Sequence, residues 1–219
     1  MNWLWLNTPA DLSAWETRAF SATADLGPQP GDKRDNHERV VAVEGPGLPD
    51  SNGPARHLAN AILRFDVFPP GWLSCLMRRT PVEIGDTIGL CHPLVPGLRL
   101  FFAARVTERF EHADHKQWRC GFTYRTLEGH PACGEETFCV EKDLATGQIT
   151  VALRSWSRPG IWIAKLTYPI MRSLQLRAAR AALDNLQSIA HSEAQTDGRP
   201  PNFAAGRHLR TMLLGSPWL

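Results

Sequence analysis

The sequence predicts an α+β domain in which a curved antiparallel sheet packs against a long helix near the C-terminus. Three observations predict it. From Val82 to Ser157, short runs of alternating apolar and polar residues are separated by turn residues. The connections Pro96-Gly97, Glu111 to Lys116, Gly129 to Gly134 and Ala145-Thr146-Gly147 are of hairpin length. From Ile161 to Ala190 the apolar spacing changes to a helical period.

The elements follow in order. Asn7-Thr8-Pro9 reads as a helix start, a polar cap before a first-turn proline. Leu12, Trp15, Ala19 and Phe20 then recur at helical spacing to about Ala24. The loop Gly27 to Asn36 breaks the chain. Arg39 to Glu44 reads as a first strand, and His57 to Phe65 as a helix with Leu58, Ile62 and Phe65 on one face. Pro69-Pro70-Gly71 ends it, and a second short helix is expected over Trp72 to Met77. The meander is Thr87–Cys91, Arg99–Phe110, Trp118–Thr126, Glu135–Glu141 and Ile149–Ser157. In the closing helix, Pro169 is expected to kink or divide the helix. Ile163, Leu166, Ile170, Leu174, Ala178 and Ala181 are its expected buried stripe. These spans divide the chain into an N-terminal helix and loop (1–36), one domain (37–191), and a linker with a short docking segment (192–219).

One strand, two helices, a meander and a long terminal helix is the order of a helix-grip fold, which often leaves a cavity between sheet and helix. With 219 residues the chain is long enough for one sizeable core, burying roughly 70–75% of its unfolded surface. Hydrophobic residues at 43% and charged residues at 21% exclude wholesale disorder. The net charge is +2, from 24 basic and 22 acidic residues, so nucleic acid is not an expected partner. Cys75, Cys91, Cys120, Cys133 and Cys139 are odd in number and contain no C-x-x-C pair, which favours reduced thiols and a cytoplasmic setting. The first residues lack a signal-peptide pattern, and no apolar run approaches the ~20 residues of a membrane span. Oligomeric state is left open.

Strand alternation assigns faces. Leu100, Phe102, Ala104 and Val106 share one face, with Arg105 and Arg109 on the other. Trp118, Cys120, Phe122, Tyr124 and Thr126 oppose Arg119 and Arg125. Glu135 and Glu136 are neighbours in one strand and cannot act as a carboxylate dyad; Glu136, in phase with Phe138 and Val140, is the inward one. Val151, Leu153, Ser155 and Ser157 share a face against Arg154, Trp156 and Arg158. The expected interior polar set is Tyr124, Thr126, Glu136, Ser155 and Ser157, with His130 from the turn. Phe102, Phe122 and Phe138 complete the apolar part of an expected ligand site, and Arg158 and Arg172 are candidates to pair with Glu135 or Glu136.

The run Gly121 to Phe138, G-F-T-Y-R-T-L-E-G-H-P-A-C-G-E-E-T-F, resembles the signature of the domain-of-unknown-function family nineteen-ninety. Ser157-Arg158-Pro159 and Pro169-Ile170-Met171-Arg172-Ser173-Leu174-Gln175 are similar to two further elements of that family, in the same order. The resemblance runs from about Phe65 to Ala182, leaving out the leader before Asn36 and the tail after Ser192. It implies no established activity. The element order is also similar to START and polyketide-cyclase-like (SRPBCC) domains, which implies binding of apolar small molecules.

Three functions remain distinct. A binding protein would hold a small apolar ligand between sheet and helix, and this is the favoured reading. An enzyme would use the same cavity, with Glu136 as acid or base and Tyr124 and His130 positioning the substrate. A scaffold would have a filled core and use its outer face. No cofactor is expected. His112-Ala113-Asp114-His115 lies in a polar turn without a matched second pair, so no metal site is expected either. Gly45-Pro46-Gly47 lacks a nucleotide-binding spacing.

Overall fold

The computed structural model describes residues 4–6, 11–21, 27–95, 98–159 and 168–194. Alternating sequence gives strands β1 (Leu4–Leu6), β2 (Lys33–Val43), β3 (Ser74–Leu76), β4 (Thr87–Val95), β5 (Leu98–Ala113), β6 (Gln117–Thr126), β7 (Ala132–Asp143) and β8 (Gln148–Pro159). The helices are α1 (Ser13–Glu16), α2 (Pro54–Leu63) and α3 (Tyr168–Ala194). Seven strands run in the order β2-β8-β7-β6-β5-β4-β3, each pair antiparallel, and β1 adds to the end of β5. The hairpins from β4 to β8 are consecutive, and β2 closes the far edge against β8. With α3 held in the sheet, this is a helix-grip arrangement.

The core lies between one sheet face and the two helices. Leu58 and Ile62 of α2, Leu183 and Leu186 of α3, and Phe122, Phe138, Val140 and Val151 of the sheet meet there with almost no exposure. Pro54 opens α2, where a missing N–H costs nothing, and the Glu44 carboxylate accepts the Ala55 N–H at 2.8 Å. Phe65 ends the segment in a left-handed conformation at φ 57°. That conformation costs a non-glycine residue roughly 1–2 kcal/mol. It is offset by the ring, which is buried against Phe122 and Phe138 at centroid distances of 5.9 and 5.7 Å.

Several expectations are corrected. Trp72 to Met77 is not a helix: Ser74–Leu76 pairs with Gly89–Cys91 as the edge strand β3, because the Pro-Pro-Gly break delivers the chain to the open edge of β4. The first strand begins at Lys33 rather than Arg39, so part of the expected loop is sheet. On β5, Arg109 does not face outward. Val106 pairs with Tyr124 but Glu108 pairs with Thr123, so Thr107 is an inserted residue and the alternation inverts beyond it. Arg109 and Glu111 then stand opposite Phe122 and Cys120 on the core side, where they pair with Glu83 and Arg56 near the rim. The buried stripe of α3 is Ala179, Ala182, Leu183, Leu186 and Ala190, one position away from the expected phase. Ala178, Ala181 and Leu174 are half-buried, while Ile163 and Leu166 lie outside the described residues. Pro169 stands in the first turn of α3 among the described residues.

The N-terminal helix is shorter than its pattern, four residues, and it packs on the outer face of the sheet. Trp15 is fully buried there with Phe101, Ala103 and Leu127, its ring meeting Phe101 edge-on at 5.9 Å. Arg18 covers the Trp15 ring at 3.9 Å, and Phe20 bridges to Leu127.

Gly121 shows how closely β6 and β7 approach. A methyl group at this position would lie 2.1 Å from the Phe138 carbonyl oxygen, which is backbone and cannot step aside. Gly121→Ala is therefore expected to lose about 1–3 kcal/mol of stability, read as a lower urea midpoint.

Candidate functional site: a cavity between the sheet and the terminal helix

Antiparallel register assembles the site. Tyr124 on β6 stands opposite Glu136 on β7, Glu136 opposite Ser155 on β8, and Ser155 opposite Asp35 on β2. Four polar side chains thus form one transverse row on the inner face. One rung deeper lie Phe122, Phe138 and Leu153, all buried. Phe122 and Phe138 stack at 5.6 Å, and Phe138 touches the Tyr124 ring at 5.7 Å, so the aromatic layer fixes the phenol from below.

Above the row, the chain leaves a cavity of about 170 Å³ under α3. Its apolar wall is formed by Leu90, Leu100, Phe102, Leu153, Ala178 and Ala179, with Phe68, Trp72 and Leu73 from the segment after α2. The alanines of α3 keep the helix close to the sheet without filling this space. Of the residues singled out from sequence, Phe102, Tyr124, Thr126, His130, Glu136, Ser155, Ser157 and Arg172 border the cavity. Phe122 and Phe138 lie beneath it. Arg158 stands on the opposite face, over the Trp156 ring at 5.3 Å and paired with Asp32 at 3.3 Å.

Two residues that sequence reading did not select, Asp35 and His37, also border the cavity. Their every-second-residue spacing with Arg39 was the available signal, hidden because the run Lys33 to Asn36 reads as loop by composition. Trp72 and His92 form one wall, their rings 5.0 Å apart, with the imidazole Nδ1 2.9 Å from the Trp72 carbonyl. The expected pairing of Arg172 with Glu135 or Glu136 is not made. Arg172 instead grips Asp35, donating from both terminal guanidinium nitrogens, and Glu135 pairs with Arg125 at 2.5 Å.

The charges differ in their surroundings. Burial pushes the Glu136 carboxyl up to about 7, against the hydrogen bond from the Tyr124 hydroxyl, and the negative Asp35 adds to the rise. The phenol donates to Glu136 Oε2 at 2.7 Å, and Tyr124 is raised well above its ordinary value, first by burial and then by the Glu136 charge. Burial lowers His130 to about 4, leaving a neutral imidazole. Its Nδ1 accepts the Ala132 N–H at 2.9 Å, which assigns the ring proton to Nε2. The ring also packs edge-on against Phe102 at 4.6 Å. Asp35 is held below the usual carboxylate range by its Arg172 hydrogen bonds. Near neutral pH, Glu136 can therefore either give or take a proton, while His130 offers an uncharged donor.

The sequence model of one family, described as a domain of unknown function, DUF1990, matches residues 16–185. The chain belongs to the DUF1990 family. The match begins at residue 16, within the leader before Asn36 that the motif resemblance leaves out, and so includes Arg18 and Phe20 on the outer face. Within this DUF1990 chain, the signature run Gly121 to Phe138 is the hairpin β6–β7 that supplies Tyr124, Thr126, His130 and Glu136. A UPF0548 protein of Dictyostelium discoideum is 28% identical over 122 residues, covering 52% of this chain and 56% of its own length. A UPF0548 protein of Arabidopsis thaliana is 28% identical over 102 residues, covering 46% of this chain and 49% of its own. The chain spans about half the length of the curated relatives it matches. Among solved structures, norcoclaurine synthase of Thalictrum flavum aligns over 72% of this chain and 95% of its own, at 12% identity and a TM-score of 0.43. Ara h 8.0201 aligns over 74% and 99%, at 10% identity and a TM-score of 0.45. No helix among the described residues is long and apolar enough to cross a membrane.

Proposed function

We propose that this DUF1990 protein binds a small, mainly apolar molecule between the sheet and α3, with the polar part of that molecule against Tyr124, Glu136 and His130. The observation that carries this reading is the cavity itself: about 170 Å³ of space, walled by aliphatic and aromatic side chains, with one polar row at its floor. A dry apolar cavity of about 150 Å³ accommodates one benzene ring, so the ligand is of ring size. Phe102, Thr126, Ser155 and Ser157 form the surrounding contacts, and Arg172 with Asp35 forms the border on the helix side.

Native mass spectrometry of protein purified from its own host tests the reading. A bound molecule at one per chain is the expected result, and it is expected to be absent from Ser155→Trp, where an indole occupies the space over Glu136. An unliganded wild-type protein that also fails to take up any ring-sized apolar compound would contradict it.

A second reading has its own observation. Glu136 is poised near neutrality beside a phenol, which suits a general acid or base. If the protein is an enzyme, Glu136 is the residue that exchanges the proton, and Tyr124 and neutral His130 donate hydrogen bonds to the substrate. Turnover of the extracted ligand that is abolished in Glu136→Gln would distinguish the enzyme from the binding protein.

A further inference from the structure

The distribution of charge around the cavity defines the class of ligand more narrowly, granted that the cavity is a binding site. Four charged residues among those described border it: Asp35, Glu136 and Arg172, with Glu135 at its edge. Asp35 and Arg172 neutralise one another through a two-pronged pair, and Glu135 is neutralised by Arg125. Glu136 has no cationic partner among the described residues; its one hydrogen bond comes from the neutral Tyr124. Among the described residues, an ionised Glu136 thus leaves one negative charge at the cavity uncompensated.

The walls suit a cation as well. Phe68, Trp72, Phe102 and Tyr124 all border the space, and the electron-rich faces of aromatic rings attract ammonium groups. We propose that the cavity selects a ring-sized apolar molecule carrying a single protonated amine, its ammonium group seated against the Glu136 carboxylate. The amine supplies the counter-charge that no described residue gives Glu136. A carboxylate ligand would meet Glu136 with like charge, and an alcohol would form a hydrogen bond without compensating the charge.

Other titratable groups set the background. Asp35 and His37 border the cavity from β2, His92 from β4, Tyr124 from β6, His130 from the β6–β7 turn and Arg172 from α3, with Cys75 of β3 close to Tyr124. Asp35 reinforces attraction for a cation, and Arg172 opposes it only to the extent that its Asp35 pair is incomplete. His130 is neutral and does not compete. Because Glu136 is pushed up to about 7, an amine that stays protonated binds better as pH rises through that value.

Calorimetric titration with cyclohexylamine, cyclohexanol and cyclohexanecarboxylate tests the inference on one skeleton. Near pH 8 the amine is expected to bind at least about tenfold tighter than the alcohol, with the carboxylate weakest. The amine's affinity is expected to rise several-fold between about pH 6 and pH 8. In Glu136→Gln the preference for the amine disappears while cyclohexanol still binds, which also reports an intact cavity. Equal affinities of amine and alcohol for the wild type, or an amine preference that survives in Glu136→Gln, would overturn the amine inference and leave the cavity reading standing. Binding of none of the three would overturn both.

Discussion

Lys142→Ala is expected to lose about 3–5 kcal/mol of folding stability. Lys142 lies on β7 with its side chain 1% exposed, and its ammonium group reaches Glu44, 3% exposed, at 2.7 Å. The same ammonium donates to the Leu48 carbonyl at 3.2 Å, and Glu44 accepts the Ala55 N–H that opens α2. The pair therefore joins β7 to the loop before α2 and to the helix start itself. Removing the cation strands a carboxylate in the interior, where the penalty is far larger than the net value of the intact pair. The double replacement Lys142→Met with Glu44→Gln strands no charge and is expected to recover most of the loss. Urea unfolding of the two variants measures this directly. A single variant within about 1 kcal/mol of wild type would mean that the pair behaves as a surface ion pair.

Glu136→Gln is expected to act in the opposite direction, stabilising the protein by up to roughly 3 kcal/mol near pH 8 and little near pH 4. The sign follows from the pKa. The folded value, about 7, lies above the ordinary 4.5, so the folded state holds the proton more tightly. Protonation of Glu136 supports folding fully below pH 4.5, and that support is lost as pH rises to about 7. His130 works against this trend. Its folded value, about 4, lies below the ordinary 6.5, so its contribution grows with pH across that window and is complete above it. In the wild type the two slopes largely cancel between pH 4.5 and 6.5. Thermal unfolding across this range is expected to show a rising curve for Glu136→Gln and a falling one for His130→Gln. A Glu136→Gln curve parallel to the wild type would show that Glu136 titrates normally.

A carboxylate that weakens the fold at neutral pH and faces a cavity is the arrangement the proposed binding or catalytic role would use. Lys142 with Glu44 shows the alternative, a buried acid given its own cation. Glu136, equally inward on the same strand, is given a phenol and an open space.

Alternation over β6, β7 and β8 made the inward positions of Tyr124, Thr126, Glu136, Ser155 and Ser157 readable, because these strands are regular and their partners keep register throughout. Where regularity fails, the reading fails with it. A single inserted residue at Thr107 reverses Arg109, and no propensity marks the insertion. Asp35 was hidden by composition: Lys33-Arg34-Asp35-Asn36 carries no apolar residue, yet it forms strand because β8 offers an open edge. The phase of α3 was ambiguous for a different reason. Alanine at 178, 179, 181 and 182 gives both faces the same volume, and only Leu183 and Leu186 identify the buried side. The pairing of Arg172 with Asp35, between chain segments 137 residues apart, depends on the closure of β2 against β8 and on no local pattern.

The most direct test is an isotope-filtered NMR measurement of contacts between the protein and bound cyclohexylamine. Occupation of the cavity predicts nuclear Overhauser effects from the ring protons to the methyl groups of Leu153 and Ala179 and to the Phe102 ring, all lost in Ser155→Trp. Contacts confined to exposed apolar side chains such as Val43 and Ile84, or none at all, would contradict a ligand site beneath α3.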